Sequence, residues 1–222
     1  MTRTLIVTGG GDYTDPWHPF AETSACLTGI FEGLGHDVTV SDRVERSLAG
    51  LNDSSVWPDL LMINAGNAEQ PTPFDPAVAT GVLAYLAAGH PLFVTHISIT
   101  TFVDWPEWET IVGGRWVRGT SMHPDFGPVE IEVATDRHPI VAGVPDFGLL
   151  DERYSYLRTS VDIEPLAWHE YEGARYPLLW THRYGTAKVV YDALGHTAES
   201  FDSAEHRMLV SRSARWLLGE LD

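Results

Sequence analysis

Residues Asp59–His96, DLLMINAGNAEQPTPFDPAVATGVLAYLAAGHPLFVTH, read as a strand, a helix and a second strand. Asp59 to Asn64 reads as a strand around the apolar run Leu60–Ile63, and it ends in the loop Ala65-Gly66-Asn67. Asp75 caps a helix with Pro76 at its first position, and Gly89 stops it. His90 to Thr95 is apolar again, which places His96 at a strand exit.

The same alternation extends toward the N-terminus. Leu5-Ile6-Val7-Thr8 is a short buried-strand run that leads into Gly9-Gly10-Gly11. Helical spacing from Pro19 to Leu34 puts Phe20, Cys26, Leu27, Ile30, Phe31 and Leu34 on one inner face, and Gly35 closes the helix. Asp37 to Val40 is another strand. Strands and helices that alternate through short loops predict an α/β fold with a doubly wound, mostly parallel sheet. Such sheets bind ligands outside the carboxyl ends of their strands. The loops Gly9–His18, Asn64–Asn67 and His96–Thr101 are therefore expected to share one crevice.

Beyond Trp105 the pattern changes. A short helix is predicted over Trp105–Val112. Strands are predicted over Trp116–Thr120, Val129–Val133, Leu149–Leu157, Ile163–Trp168, Leu178–His182 and Lys188–Leu194. An amphipathic helix from Ser203 to Leu218 turns Met208, Leu209, Trp216 and Leu217 inward. No linker interrupts the chain, so these extra C-terminal strands are expected to extend one domain over residues 1–222.

Composition narrows the function. Lys and Arg total 14 against 31 Asp and Glu, a formal net charge of −17. That field repels nucleic acid and anionic membranes, although it leaves room for an apolar patch buried in a homo-oligomer. The lone cysteine, Cys26, excludes a disulfide framework and a cysteine zinc knuckle. Met1 leads directly into the first strand and no apolar run is long enough for a bilayer, so a cytoplasmic protein without a leader is expected.

The chemistry-bearing residues are mostly histidines at strand exits. Gly9-Gly10-Gly11-Asp12 is a poor phosphate loop: it lacks G-x-G-x-x-G and GK[ST], and Asp12 and Asp15 would repel phosphate. No nucleotide cofactor is expected. The glycines serve a tight turn, or Asp12 and His18 line the crevice. His96 stands where this fold type places a nucleophile elbow, but the run Thr95-His96-Ile97-Ser98 has no cysteine and Cys26 lies on the first helix, so a glutaminase is excluded. His96 is either a site residue or a hydrogen-bonded structural histidine. His123 and His138 each precede a proline and read equally as turn residues. Glu152 and Tyr154 would share one strand face. His182 and His196 complete the set. Imidazoles with a carboxylate suit a divalent metal, zinc or manganese, and His18, His96, His182 and His196 are its candidate ligands.

Several segments, taken together, resemble the ThuA-like (trehalose-utilisation) family. They are Thr95-His96-Ile97-Ser98, Gly113-Gly114-Arg115-Trp116 before His123-Pro124, His138 to Gly143, Asp151 to Tyr154, Pro177 to Gly185, Val190 to His196, and Arg215 to Gly219. The chain departs from the family pattern at Gly185-Thr186-Ala187-Lys188, where the family usually has Gly-Lys-Gly-Arg. The resemblance implies a flavodoxin-like sheet of the class I glutamine-amidotransferase type without amidotransferase chemistry. It also implies a role in catabolism of sugars first oxidised to 3-keto glycosides, by isomerisation to the 2-keto form.

Such an isomerisation removes a proton α to a carbonyl and needs a base and a charge-stabilising group. On this reading Glu152 is the base, and His96 and His196 are acid/base groups or metal ligands. Asp12, Tyr154, Trp105 and Trp180 contact a small-molecule sugar. The alternatives are a non-catalytic ligand-binding or assembly module, and a glycoside hydrolase using Asp12 and Glu152.

Overall fold

The central strands are mostly apolar because both of their faces are covered. β3 (Leu60–Asn64) and β4 (Leu92–Thr95) are buried at every position. They lie within a sheet seen in a computed structural model that describes residues 1–221. The first half of the chain also supplies β1 (Arg3–Thr8), α1 (Phe20–Gly33), β2 (Asp37–Ser41), α2 (Val44–Gly50) and α3 (Pro76–Ala87). The second half adds α4 (Glu107–Val112), β5 (Gly114–Arg115), β6 (Gly127–Val133), β7 (Phe147–Asp151) and β8 (Arg158–Thr159). It ends with β9 (Glu164–Tyr171), β10 (Ala174–Tyr184), β11 (Ala187–Asp192) and α5 (Ala204–Leu217).

Nine strands form one sheet in the order β2-β1-β3-β4-β11-β10-β9-β6-β7, and β5 pairs with β8 alone. The block from β2 to β11 is parallel throughout. From β11 outward every neighbour is antiparallel. Winding reverses at β1, which has β2 on one side and β3 on the other. The carboxyl ends of β1, β3, β4 and β11 therefore open on the same edge, at the switch point where this architecture places ligands. Among the described residues no helix is long and apolar enough to cross a membrane.

The helix signals act as expected. The Asp75 carboxylate accepts from the Ala77 amide, with Pro76 opening α3, and Ser203 caps α5 by accepting from the His206 amide. On α1, Phe20, Leu27 and Phe31 are buried, while Cys26, Ile30 and Leu34 are only partly covered.

Three local expectations are corrected. Residues Trp116–Thr120 form a turn closed by the Thr120 and Ser121 amides on the Val117 carbonyl, not a strand. The strand expected to run to Leu157 stops at Asp151. Met208 lies on the outer face of α5, 42% exposed. The short helix α2 has too few turns to show a period, and only Val44 and Leu48 anchor it.

Gly81 marks the closest approach of α2 to α3. A Cβ there would stand 2.2 Å from the Leu48 carbonyl oxygen, which is backbone and cannot swing away. Alanine is ordinarily the better helix residue by about 1 kcal/mol, but overpacking costs roughly 1–3 kcal/mol. Gly81→Ala is thus expected to lower the urea midpoint at unchanged m-value. An unchanged or raised midpoint would contradict this packing.

Candidate metal centre

The site is built at the carboxyl edge of the parallel block. His96 follows β4 and takes φ of 42°, a left-handed conformation that costs a non-glycine residue about 1–3 kcal/mol. The Tyr191 hydroxyl holds this bend by donating to the His96 carbonyl at 2.9 Å. His96 Nδ1 lies 2.6 Å from the Ala193 carbonyl oxygen. A carbonyl only accepts, so Nδ1 carries a proton and Nε2 turns into the site. There Nε2 meets the Tyr154 hydroxyl at 3.1 Å, His196 Nδ1 at 3.3 Å and Glu152 Oε2 at 3.4 Å.

His18 comes from the loop after β1. Its Nδ1 donates to Asp15 Oδ1 at 2.7 Å, and the same oxygen accepts the Trp17 and His18 amides. The other Asp15 oxygen takes the Ala68 amide at 2.8 Å, tying this loop to the one after β3. Burial alone would raise the Asp15 pKa, but the His18 bond and the amides outweigh it and hold it at about 2. His18 Nε2 is left buried with no hydrogen-bond partner. An orphaned buried nitrogen needs an explanation. Here it faces the other donors, with the His96 and His196 ring centroids 5.2 and 4.8 Å from that of His18.

His18, His96, Glu152 and His196 each present one ligand atom, all within 4.8 Å of one another. Donors bound at about 2.1 Å to one tetrahedral ion sit about 3.4 Å apart. The 3.3 and 3.4 Å separations match that spacing, and the widest gap asks for a small inward shift. The outer hydrogen bonds of His18 to Asp15 and of His96 to Ala193 are what metal-binding histidines normally make. The donor set suits zinc or manganese.

Asp151, fully buried at the end of β7, joins two of these residues. Its Oδ1 accepts the amides of Glu152 at 2.8 Å and His196 at 3.2 Å, and its Oδ2 accepts the Gly195 amide at 2.8 Å and the Ser200 hydroxyl at 2.5 Å. Behind it, Ser200 meets buried His206, which pairs with Asp192 at 3.0 Å and so links α5 to the site.

A partly enclosed cavity of about 60 Å³ adjoins the cluster, lined among others by His18, Trp116, Arg118, His123, Glu152 and Tyr154.

Burial disfavours charge on every imidazole here. It prevails at His18, whose pKa falls, and at His196, which drops to about 4 with the His96 charge adding to the effect. At His96 burial is outweighed by the bond and charge of Glu152, so its pKa rises. At Glu152 burial is likewise outweighed by the His96 bond and by the charges of His96, His196 and His123, and the pKa falls to about 2. In the metal-free cluster an added proton is thus favoured on His96, facing ionised Glu152. Metal binding must displace it. Roughly one proton per ion is expected to be released while His96 is protonated. Affinity should climb as pH rises through the elevated His96 pKa and then level. Calorimetry in buffers of different ionisation enthalpy reads this directly, and release of no proton at pH 6 would refute the assignment.

The structure brings together His18, His96, Glu152, His196 and Tyr154 from the sequence reading, and it leaves three candidates elsewhere. His182 is opposite Val189 in the β10–β11 register, near the start of β11, whereas the site lies beyond the far end of β11 at Asp192. Its Nε2 donates to the Thr110 carbonyl at 3.0 Å, so it is not a ligand of this cluster and Glu152 takes that place. Trp180 is fully buried, donates to the Val112 carbonyl and packs on Tyr191 at 4.3 Å, so it cannot touch a sugar in the cavity. Asp12 is exposed and borders a separate surface hollow with Asp42 and Arg43. Trp105, stacked on Phe74 and Trp108, is core as well. Glu152 and Tyr154 do share the cavity, but beyond the end of a strand rather than by strand alternation. Asp15, Asp151 and Arg118 had no assigned part. The Asp15-x-x-His18 spacing and the Asp151-Glu152 pair were the available signals for the first two.

Fold and site together define an α/β protein of flavodoxin-like type whose β4 exit carries a histidine within a histidine–carboxylate cluster. The chain belongs to the ThuA family, described as trehalose utilisation, whose profile matches residues 5–217. Among solved structures it is similar to a ThuA-like protein of Parabacteroides merdae, at 20% identity and a TM-score of 0.79 over 99% of this chain and 91% of that one. A ThuA-like protein of Bacteroides uniformis follows at 16% identity and a TM-score of 0.75, over 97% and 91%. A β-galactosidase of Rahnella sp. R3 shares the fold over 97% of this chain but only 31% of its own, at 13% identity and a TM-score of 0.62. No curated protein sequence matches the chain.

Proposed function

We propose that this protein is a metal-dependent enzyme of sugar catabolism that isomerises oxidised (3-keto) glycosides to 2-keto glycosides by proton transfer α to the carbonyl. The observation that carries the reading is the convergence of His18, His96, Glu152 and His196 on one point beside a partly enclosed cavity. A binding or assembly module has no need for an orphaned imidazole nitrogen and a strained elbow at that point. The trehalose-utilisation family supports the sugar assignment. Hydrolysis by paired carboxylates draws no support, because Asp12 lies outside the cavity that Glu152 borders.

The four residues would hold a zinc or manganese ion, which would supply a Lewis acid that polarises the substrate's neighbouring oxygens. The chain's own groups divide the remaining work. Asp15 and the Ala193 carbonyl fix the histidine tautomers, and Trp116 and Tyr154 give the cavity flat apolar walls. Burial and the Glu152 charge hold the Tyr154 phenol well above its usual pKa, so it stays protonated and can donate to a substrate oxygen.

Elemental analysis of the purified protein, joined to turnover of a 3-keto-glucoside with and without chelator, tests this. Stoichiometric metal and chelator-sensitive turnover are expected. Bound metal without turnover would leave the centre standing and overturn the substrate. Neither metal nor turnover would overturn both.

A further inference from the structure

With Glu152 inside the ligand set, the reaction proposed above lacks a free base, and we infer that His123 is that base. The inference rests on the preceding reading for its substrate. His123 lies in the loop between β5 and β6. Its Nδ1 is 3.0 Å from the Pro124 carbonyl, which can only accept, so Nδ1 donates there and Nε2 is the ring nitrogen left to meet a substrate. Nε2 lies 3.5 Å from Glu152 Oε1, beyond a good hydrogen bond, so the two groups are not closed on each other.

Position separates His123 from the other imidazoles. Its side chain is 36% exposed, against 6%, 1% and 11% for His18, His96 and His196. It is not among the ligand atoms that converge, yet it lines the cavity beside Trp116 and Tyr154. Its placement is firm. The preceding residue, Met122, is bridged to Ser155 through amide–carbonyl bonds of 3.1 and 2.8 Å, which fixes the loop against the segment that carries Tyr154. The following proline restricts the His123 backbone to extended conformations. A base that must meet substrate entering from solvent and return its proton belongs at such a place.

The step balances within the substrate. His123 Nε2 takes the C2 proton of the 3-keto glycoside. The C2–H electron pair forms the C2=C3 bond, and the carbonyl pair moves onto O3. The imidazolium returns the proton to C3 while the O2–H proton passes to O3, leaving a ketone at C2 and a hydroxyl at C3.

The test compares wild type with His123→Ala and His123→Asn, each loaded with zinc. Both variants should bind one zinc with affinity within about twofold of wild type, since neither loses a ligand. Turnover of the 3-keto-glucoside, and exchange of its C2 proton with deuterated solvent, should fall by about 10²- to 10⁴-fold, the usual contribution of a general base. Added imidazole should restore part of the rate to the alanine variant, whose gap opens to solvent, and a merely structural histidine would not respond so. Independently of activity, nitrogen-15 NMR of the zinc-loaded wild type should show His123 protonated at Nδ1 with a metal-free Nε2. Loss of zinc from the variants, undiminished exchange, or a metal-shifted or protonated Nε2 would each overturn the assignment. Wild type that binds zinc without exchanging the sugar proton overturns the keto-sugar reading alone, and the NMR result then decides whether His123 is the free lone pair of this site.

Discussion

Replacing Glu152 by Gln is expected to lower divalent-metal affinity by more than the roughly 10–100-fold that outer partners of metal ligands carry, and to abolish turnover. Glutamine keeps the shape and removes the only anion among the converging donors. The carboxylate is ionised far below neutrality, with a pKa of about 2, because the His96 bond and the surrounding imidazole charges outweigh its burial. The fold should survive. The Glu152 side chain meets His96, His123 and His196 as ion-pair partners at 3.4–3.5 Å, and glutamine can keep these as neutral contacts. Thermal unfolding of the metal-free variant should stay within a few degrees of wild type, while competition against a chromophoric chelator reports the loss. Wild-type metal affinity in the variant would remove Glu152 from the centre.

Asp151→Asn is expected to have the largest effect on stability. The carboxylate is fully buried and accepts four hydrogen bonds, three from backbone amides and one from Ser200. An amide group of the same shape turns an NH₂ toward donors on one side, whichever way it is flipped. Two donors face that side, and each buried donor left unpaired costs about 1–3 kcal/mol, so a loss of about 2–6 kcal/mol follows. At this chain length even the lower figure corresponds to roughly 4–8 °C in melting temperature. Metal affinity should fall with it, since Asp151 orients the backbone of both Glu152 and His196. Calorimetry of the metal-free proteins separates the two effects. A melting point within two or three degrees of wild type would mean that the bonds to Asp151 contribute little.

The parallel half of the fold was legible because its signals are local. Leu60–Ile63 and Leu92–Val94 are unbroken apolar runs, and Asp75-Pro76 and Gly89 bracket the helix between them. The antiparallel extension was harder to read. Trp116–Thr120 has strand-like residues but closes as a turn on the Val117 carbonyl; within the parallel half, only α2 is too short for a helical period to emerge. Histidines at strand exits could be picked out as candidates, since parallel topology sends those exits to one edge. That logic placed His18, His96 and His196 correctly in space. It failed for His182, which belongs to a strand running the opposite way, so that its place in β10 points it to the other end of β11.

The sequence by itself determined the strand–helix alternation, the crevice at the carboxyl edge, the absence of a cysteine at the elbow and the family resemblance. All of these depend on residues close together in the chain or on composition. Only the tertiary structure decided which candidates meet. His18, His96, Glu152 and His196 come from four separate loops, and no spacing in the chain encodes their approach to within 4.8 Å. The same holds for the choice of Asp15 over Asp12 and for the burial of Trp180. An aspartate can face solvent or a histidine, and a tryptophan can line a cavity or fill a core. The strand register and the loop packing around each side chain select between those outcomes.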